Sequence, residues 1–201
     1  MLVHAIMPAS RANGPGLRCV VFVQGCNLGC PGCWNSWGHA FRETEFAAVE
    51  TILAEVVNRH RQYSLDGVTF SGGEPMQQAE DLDMLLQGLR SALPRLSVGM
   101  FTGYSEEELE NGRFFTRHVV DQDQRRALWR SIRSQLDFAV MGRYDRLQPS
   151  DAPMRTSANQ VLRLFSARHA EVDFSVQTVE ITIAADGLTR TTGFPTLGNP
   201  A

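Results

Sequence analysis

Three cysteines in one short loop constrain the fold of this chain more than any other feature of its sequence. Cys26, Cys30 and Cys33 follow the run 18–23, in which every residue after Arg18 is apolar, as is typical of a buried strand. The backbone can wrap tightly around a bulky group at this point because glycines interrupt the loop: Gly25, Gly29 and Gly32. The sequence therefore predicts a strand that runs into a loop built around a metal centre.

Length and composition indicate one domain over 1–201. The chain has 201 residues, of which 43% are hydrophobic, and a formal net charge of −3. No long basic run suggests a nucleic-acid surface, and no apolar stretch approaches the roughly 20 residues of a membrane helix. The first residues carry no signal-peptide pattern, so we expect a cytoplasmic protein. All 19 basic residues are arginine, which excludes a Schiff-base lysine and a P-loop lysine.

Clustered cysteines in a reducing compartment indicate metal binding or catalysis rather than disulfides. Three thiolates can hold three irons of a 4Fe–4S cluster and leave the fourth iron open, whereas ferredoxin-type clusters use four. Two alternatives stay open at this point: a zinc site that adds His39, and a cluster with a purely structural or electron-transfer role. Cys19 could be a fourth ligand, but it shares a strand face with Val21 and Val23 and is interpreted as a buried thiol.

Strand and helix patterns alternate along the chain, which predicts βαβ units and a mainly parallel sheet. The predicted strands are 18–23, 68–70, 96–101, 138–141 and 161–165. The predicted helices are 44–60, 79–93 and 124–135, and Ser105 with Glu108 resembles a capping box for one more. The segment 172–192 alternates and turns at Asp186-Gly187, which predicts a terminal hairpin.

The loops that carry unusual residues all follow predicted strands. They are the cysteine loop, the turn Gly72-Gly73-Glu74, and Thr102-Gly103-Tyr104. In parallel sheets, ligands gather at the carboxyl ends of the strands. We therefore expect these three loops to form one site.

The spacing Cys26-x3-Cys30-x2-Cys33 resembles the signature of the radical S-adenosylmethionine superfamily. Within it, the stretches 13–18 and 23–35 are similar to the small activases of glycyl-radical enzymes, especially those of anaerobic ribonucleotide reductase. The resemblance covers 13–195. It implies one 4Fe–4S cluster held by the three cysteines, with S-adenosylmethionine bound at the open iron. It also implies a partial (β/α)6 barrel of the TIM type, open on one side.

The resemblance assigns the Gly-Gly-Glu turn to the methionine end of S-adenosylmethionine. Glycines allow a close backbone approach, and Glu74 offers a carboxylate to the substrate ammonium. The alternative is that Glu74 only caps the next helix. The full set of cofactor-binding residues that the resemblance implies is Gly32, Trp34, Ser71, Gly72, Gly73, Glu74, Thr102 and Asn159.

Other positions match the family less well. Met141 stands where the family usually has an aspartate, so no polar role is carried over to it. Arg143 could contact a carboxylate or face solvent. The segment 157–160 resembles a family Ser-x-Asn-Gln segment, and its polar groups could equally bond within the loop. The segment 111–135 is interpreted as an insertion.

The implied activity is reductive cleavage of S-adenosylmethionine to a 5′-deoxyadenosyl radical, with no catalytic side chain beyond the two cofactors. The implied partners are an external one-electron reductant of the flavodoxin or ferredoxin type and a glycyl-radical enzyme as protein substrate. A radical enzyme for another peptide or small molecule is the first alternative. A non-catalytic iron–sulfur or zinc protein is the second.

Overall fold

A six-stranded mixed sheet forms the centre of the computed structural model, which describes residues 1–174, 179–183, 187 and 189–193. Its strands lie side by side in chain order: β1 (Val3–Ser10), β2 (Arg18–Val23), β3 (Gly67–Gly72), β4 (Ser97–Thr102), β5 (Phe138–Met141) and β6 (Val161–Leu164). The α-helices are α1 (Val49–Tyr63), α2 (Ala79–Ala92), α3 (Glu106–Glu110) and α4 (Gln122–Gln135). The strands β7 (Val179–Ile183) and β8 (Thr189–Gly193) form a separate antiparallel pair. No helix in the described ranges is both long and apolar enough to cross a membrane.

Strands β2 to β5 are parallel, which confirms the mixed α/β class with a parallel sheet. The two edge strands differ from six parallel βα units, because β1 is antiparallel to β2 and β6 is antiparallel to β5. Residues 11–17 are too few for the crossover that a parallel pair needs. Residues 142–160 are numerous enough, but they fold back through a bridge between Pro149 and Ser157 and contain no described helix.

The helices cover one face of the sheet and bury the main apolar core. Alternate residues of β2 point into this core, so Cys19, Val21 and Val23 are all fully buried there. The helix α2 packs a row of leucines against them, and α4 adds two residues: Leu82, Leu85, Leu86, Leu89, Trp129 and Ile132. Cys19 therefore lies on the helix side of β2, as the sequence predicted.

The opposite face of the sheet carries a second apolar cluster. Phe138 and Val140 of β5 pack there with Met154 and Phe174, and the rings of Phe138 and Phe174 lie 4.9 Å apart edge to face. Phe174 belongs to a 3-10 turn at Glu171–Phe174. The C-terminal part of the chain thus returns across the face that the helices leave uncovered.

Arg18 closes the amino-terminal edge of the sheet. Its guanidinium is fully buried and donates hydrogen bonds to the Thr69 hydroxyl (2.7 Å) and the carbonyls of Val68 (2.8 Å) and Ser97 (3.1 Å). Burial lowers the pKa of Arg18 to about 9. The glycine at position 67 leaves room for the guanidinium, since a Cβ atom there would lie 2.3 Å from it. With this edge filled, the open end of the sheet is its carboxyl edge.

Most predicted elements are present, with shifted ends. The strand Arg18–Val23 is confirmed at both ends, and the capping box of Ser105 and Glu108 begins α3. The first helix begins at Val49 rather than at residue 44, because residues 43–45 form a 3-10 turn and Phe46 is extended against Leu2. The terminal hairpin does not begin at residue 172, which lies in the 3-10 turn, but at Val179. Its predicted turn residue Asp186 lies outside the described residues.

Candidate functional site

The cysteine loop leaves β2 and folds against residues 38 and 39. The N–H of Gly25 donates to the carbonyl of Gly38 (2.7 Å), and that of Cys26 donates to His39 (2.9 Å). Further along, Gly29 and Gly32 have φ angles of 63° and 74°, a left-handed conformation that favours glycine. The loop therefore turns twice and presents its three half-buried cysteines at one end of the sheet.

Backbone N–H groups point at two of the three sulfur atoms. Leu28 donates to the thiol of Cys26, and Asn35 donates to that of Cys33. Burial raises the pKa of Cys26 to about 11, although the Leu28 N–H opposes this shift. The Cys33 pKa is raised for the same reason. The free thiols of Cys26 and Cys33 therefore hold their protons at neutral pH, and the N–H donors are placed to stabilise these two thiolates once a metal displaces the protons.

The donor geometry bears on the zinc alternative. Within the described ranges, no three or more His, Cys, Asp or Glu side chains converge on a point where one metal ion could bind. In a 4Fe–4S cluster each thiolate binds a different iron, so the sulfur atoms need only surround a larger group. Cys26, Cys30 and Cys33 all line one cavity at this edge of the sheet, and His39 is not among the residues of its wall.

The turn Gly72-Gly73 packs directly on the start of the cysteine loop. The N–H of Gly73 donates to Val23 (2.8 Å), and the N–H of Glu74 donates to Gly25 (2.9 Å). A Cβ at Gly73 would lie 2.5 Å from the carbonyl oxygen of Gly25. These glycines thus allow two chain segments to touch, which is a different use from the ligand approach that the sequence suggested. Ser71, at the end of β3, pairs with Phe22 of β2.

Glu74 is buried at the centre of the loops, with 1% of its surface exposed. Its Oε1 accepts hydrogen bonds from the Met76 N–H (2.9 Å) and the Thr102 hydroxyl (2.7 Å), and its Oε2 accepts one from the Gly103 N–H (2.7 Å). Burial raises the pKa of Glu74 to about 7, against the effect of these donors. Glu74 therefore does cap the following turn, and it also joins two strand ends beside the cysteines.

Gln77 is a buried residue of the site that the sequence did not indicate. Its Oε1 accepts from the N–H of Asn27 (3.1 Å), and its Nε2 donates to the Asn27 Oδ1 (2.5 Å) and the Tyr104 hydroxyl (2.9 Å). The Tyr104 hydroxyl also accepts the N–H of Phe115 (3.1 Å). One amide thus ties together all three loops. A glutamine after a Gly-Gly-Glu turn carries no local signal of such a role.

A cavity of about 540 Å³ opens between these loops at the carboxyl edge of the sheet. Nine of the predicted site residues line it: Cys26, Cys30, Cys33, Trp34, Ser71, Gly72, Gly73, Glu74 and Thr102. The structure therefore brings the cysteine loop, the Gly-Gly-Glu turn and the Thr102 loop together, as expected from their places after parallel strands. Three further residues of its wall, His4, Ala5 and Met7, belong to β1, a strand that the sequence patterns did not predict.

Two predicted residues lie away from the cavity wall. Gly32 faces Arg146, whose Cδ would lie 3.4 Å from a Cβ at this position. Asn159 is exposed and donates from Nδ2 to the carbonyl of Arg143 (2.8 Å), a bond within the loop region. Gln160, the next residue, lines the cavity. The guanidinium of Arg143 is paired with both carboxylate oxygens of Glu108, at 2.8 and 2.9 Å.

Three clustered thiols lie beside a buried carboxylate at the carboxyl edge of the parallel strands, which is the kind of site that iron–sulfur proteins use. The family model described as a 4Fe–4S single cluster domain matches residues 12–163. The chain belongs to this family, which confirms the predicted cluster.

Three relatives with named activities are similar to this chain in sequence. The anaerobic ribonucleoside-triphosphate reductase-activating protein of Escherichia coli K12 is 34% identical over 113 residues, covering 54% of this chain and 73% of the relative. The protein of the same name from Vibrio cholerae is 31% identical over 176 residues, covering 83% of this chain and 99% of the relative. The pyruvate formate-lyase-activating enzyme of Clostridium pasteurianum is 38% identical over 114 residues, covering 52% of this chain and 46% of the relative. The predicted resemblance to the activases is confirmed.

Proposed function

We propose that this protein is a radical S-adenosylmethionine enzyme that generates a glycyl radical on a partner enzyme. The observation that carries the proposal is the shared cavity, where Cys26, Cys30 and Cys33 face the buried carboxylate of Glu74. The names of the relatives, activases of anaerobic ribonucleotide reductase and of pyruvate formate-lyase, support the same reaction.

The three thiolates would hold the cluster, with the N–H groups of Leu28 and Asn35 directed at two of the sulfur atoms. A bound 4Fe–4S cluster supplies the electron that cleaves S-adenosylmethionine to methionine and a 5′-deoxyadenosyl radical. The protein contributes orientation and a pocket that excludes water. No side chain needs to transfer a proton in the cleavage.

Glu74 is proposed to receive the ammonium group of S-adenosylmethionine. An ionised carboxylate has about four acceptor positions, and three are taken by donors from Met76, Thr102 and Gly103. The remaining position can accept a charge-assisted hydrogen bond. A cation there would also lower the pKa of Glu74 from about 7 and keep it ionised.

The test is anaerobic reconstitution of the full chain with iron and sulfide. About four irons per chain should bind, and reduction with S-adenosylmethionine should release 5′-deoxyadenosine. Addition of a candidate glycyl-radical enzyme should then give a glycyl-radical signal in its EPR spectrum. Tightly bound zinc without 5′-deoxyadenosine would contradict the enzyme, and cleavage without a glycyl radical on any candidate partner would contradict the activase.

A radical enzyme that acts on another peptide or a small molecule is the second candidate. It is favoured by one observation: residues 191–193, beyond the matched range 12–163, also line the cavity. Part of the substrate environment therefore lies outside the family region. Cleavage with transfer to a small molecule, identified by deuterium uptake into 5′-deoxyadenosine, would favour this candidate.

We also propose that 1–201 forms one domain and that its sheet is a partial barrel, open on one side. We further propose that the protein lies in the cytoplasm, where an external flavodoxin or ferredoxin supplies electrons. The barrel is supported by the division of the sheet into a helix-covered face and a face that lines the cavity. A single cooperative unfolding transition is expected for one domain. Two unfolding transitions would contradict a single domain.

Failure of both flavodoxin and ferredoxin to support cleavage of S-adenosylmethionine would contradict the proposed electron source.

A further inference from the structure

We infer that the hairpin of β7 and β8 forms the substrate-side wall of the cavity and selects what reaches it. The position of the hairpin at the cavity does not depend on which reaction takes place there. Its role in selecting the substrate rests on the proposed function. The hairpin lies beyond residue 163, where the matched family region ends. Three kinds of contact support the inference: an anchor at the edge of the sheet, a buried clasp, and direct lining of the cavity.

The anchor is the carboxylate of Glu180 in β7. Its Oε2 accepts a hydrogen bond from the Ser10 hydroxyl (2.5 Å), and its Oε1 accepts one from the N–H of Arg11 (2.7 Å). Ser10 is the last residue of β1 and is buried. Charge-assisted bonds of this kind are stronger than neutral ones, so Glu180 fastens the hairpin to the edge of the main sheet.

The clasp joins β8 to the segment that follows β1. The Nδ2 of Asn13 donates to the Thr192 hydroxyl (3.0 Å) and to the Ser10 hydroxyl (2.9 Å), and all three side chains are buried. Glu180 and Thr192 are paired residues in the hairpin ladder, so the anchor and the clasp act at the same place along it. The hydroxyl of Ser10 takes part in both.

The position of β8 gives this attachment a consequence for substrates. Thr191, Thr192 and Gly193 line the same cavity as Cys26 and Glu74. The hairpin therefore occupies space through which a substrate would otherwise approach. The wall of this cavity also includes the apolar residues Val140 and Met154.

This arrangement fits a peptide segment with small side chains better than a bulky side chain. S-adenosylmethionine would fill part of this cavity of about 540 Å³, so β8 borders the space that remains for a substrate. The hydroxyl of Thr191, which the clasp does not use, can bond the peptide groups of a segment that enters beside β8. Loosening the hairpin should therefore widen access and relax the choice of substrate.

The test compares Glu180→Ala with Glu171→Ala, a control that removes an exposed acidic residue from the preceding turn. The full chain, before cluster loading, is treated anaerobically with a bulky maleimide, and labelling of each cysteine is followed by mass spectrometry. Buried Cys19 is the internal reference. In the Glu180→Ala variant we expect the maleimide to label Cys26, Cys30 and Cys33 at least about threefold faster than in wild type, because the hairpin opens locally and uncovers the cavity. The labelling rate of Cys19 should not change. Equal labelling rates in wild type, Glu180→Ala and Glu171→Ala would overturn the proposal that the hairpin forms a wall of the cavity.

The loaded enzymes then test selection. With a small thiol in the buffer as hydrogen-atom donor to the radical, Glu180→Ala should cleave S-adenosylmethionine faster without substrate than wild type does, because the thiol and the reductant enter more freely, while Glu171→Ala should match wild type. If Glu180→Ala speeds cysteine labelling but not the cleavage of S-adenosylmethionine without substrate, the hairpin forms the cavity wall but does not select the substrate. Absence of cleavage in every variant would contradict the proposed function, but the labelling result would still decide the position of the hairpin.

Discussion

The hydroxyl of Thr102 donates a hydrogen bond to the Oε1 of Glu74 over 2.7 Å, and this bond joins the ends of β3 and β4. Thr102 also accepts the N–H of Tyr104 (3.2 Å), so its hydroxyl is fixed in direction. Thr102 was predicted to bind the cofactor. In the structure it lines the cavity and also positions the carboxylate that we propose binds S-adenosylmethionine.

Replacement of Thr102 by valine should weaken the binding of S-adenosylmethionine by about tenfold, since a hydrogen bond to a charged group contributes about 1.5–3 kcal/mol. The substitution keeps the shape of the side chain and removes a donor that lowers the pKa of Glu74. Calorimetric titration of the reconstituted protein measures the change. Thr51→Val, on the exposed side of α1, is the control. Equal affinities would show that the hydroxyl does not position Glu74.

Binding of S-adenosylmethionine should depend on pH through Glu74. Burial raises its pKa to about 7, so the ligand-free carboxyl is largely neutral at pH 6 and largely ionised at pH 8. Only the ionised form attracts an ammonium group, and affinity should therefore increase as the pH rises through 7. The Glu74→Gln variant should bind weakly with little change between pH 6 and 8. A wild-type affinity that is constant over this range would contradict the assignment.

Gln77→Leu should destabilise the cluster-free protein by about 1–3 kcal/mol, because it removes a buried amide that bonds the buried hydroxyl of Tyr104 and both polar groups of the exposed Asn27. Urea unfolding measures this difference. Gln87→Leu, on the exposed surface of α2, should change the unfolding free energy by no more than about 0.5 kcal/mol. Similar effects of the two substitutions would indicate that the three loops are not joined through Gln77.

Cys26→Ala should abolish cluster assembly, whereas Cys19→Ala should retain about four irons per chain. Cys19 lies among the helix-side core residues, and Cys26 lines the cavity. Iron analysis and the visible absorption of the reconstituted variants distinguish them. Loss of the cluster in the Cys19 variant, in a protein that still folds, would mean that the ligands are misassigned.

Asp137 should protect the protein against acid. Burial alone would raise its pKa, but hydrogen bonds from Ser166 (2.6 Å), the Val98 N–H (2.8 Å) and Arg90 (2.9 Å) outweigh it and lower the pKa below its usual range. Such a carboxylate contributes stability above its unfolded pKa of about 3.9, and this stability is lost as pH falls through the folded value.

The Asp137→Asn variant should therefore be less stable than wild type at pH 7 by about 2 kcal/mol, since bonds to a charged group are replaced by weaker ones. The difference should shrink as the pH is lowered below about 4. Denaturant unfolding at several pH values gives both numbers. A difference that stays constant down to pH 2 would exclude ionised Asp137 as its source.

Local patterns were sufficient for the elements that hold the site. Residues 19–23 are apolar, and together with Arg18 they form the strand β2 with the predicted bounds. The cysteine spacing and the Gly-Gly-Glu turn are short-range features, and their places after strands put them at one edge of a parallel sheet. The strand β1 was missed because it is an edge strand with partly exposed residues, and its pairing with β2 supplies much of its support.

The sequence by itself determined the chemistry that this chain can perform: three thiols with glycines between them, a carboxylate after a glycine pair, and alternating strands and helices. The tertiary structure decided how these parts are held. It pairs Glu74 with Thr102, ties the loops through Gln77, and brings Thr192 into the cavity. Such contacts join residues far apart in the chain, so they depend on strand order and packing, which no local spacing encodes.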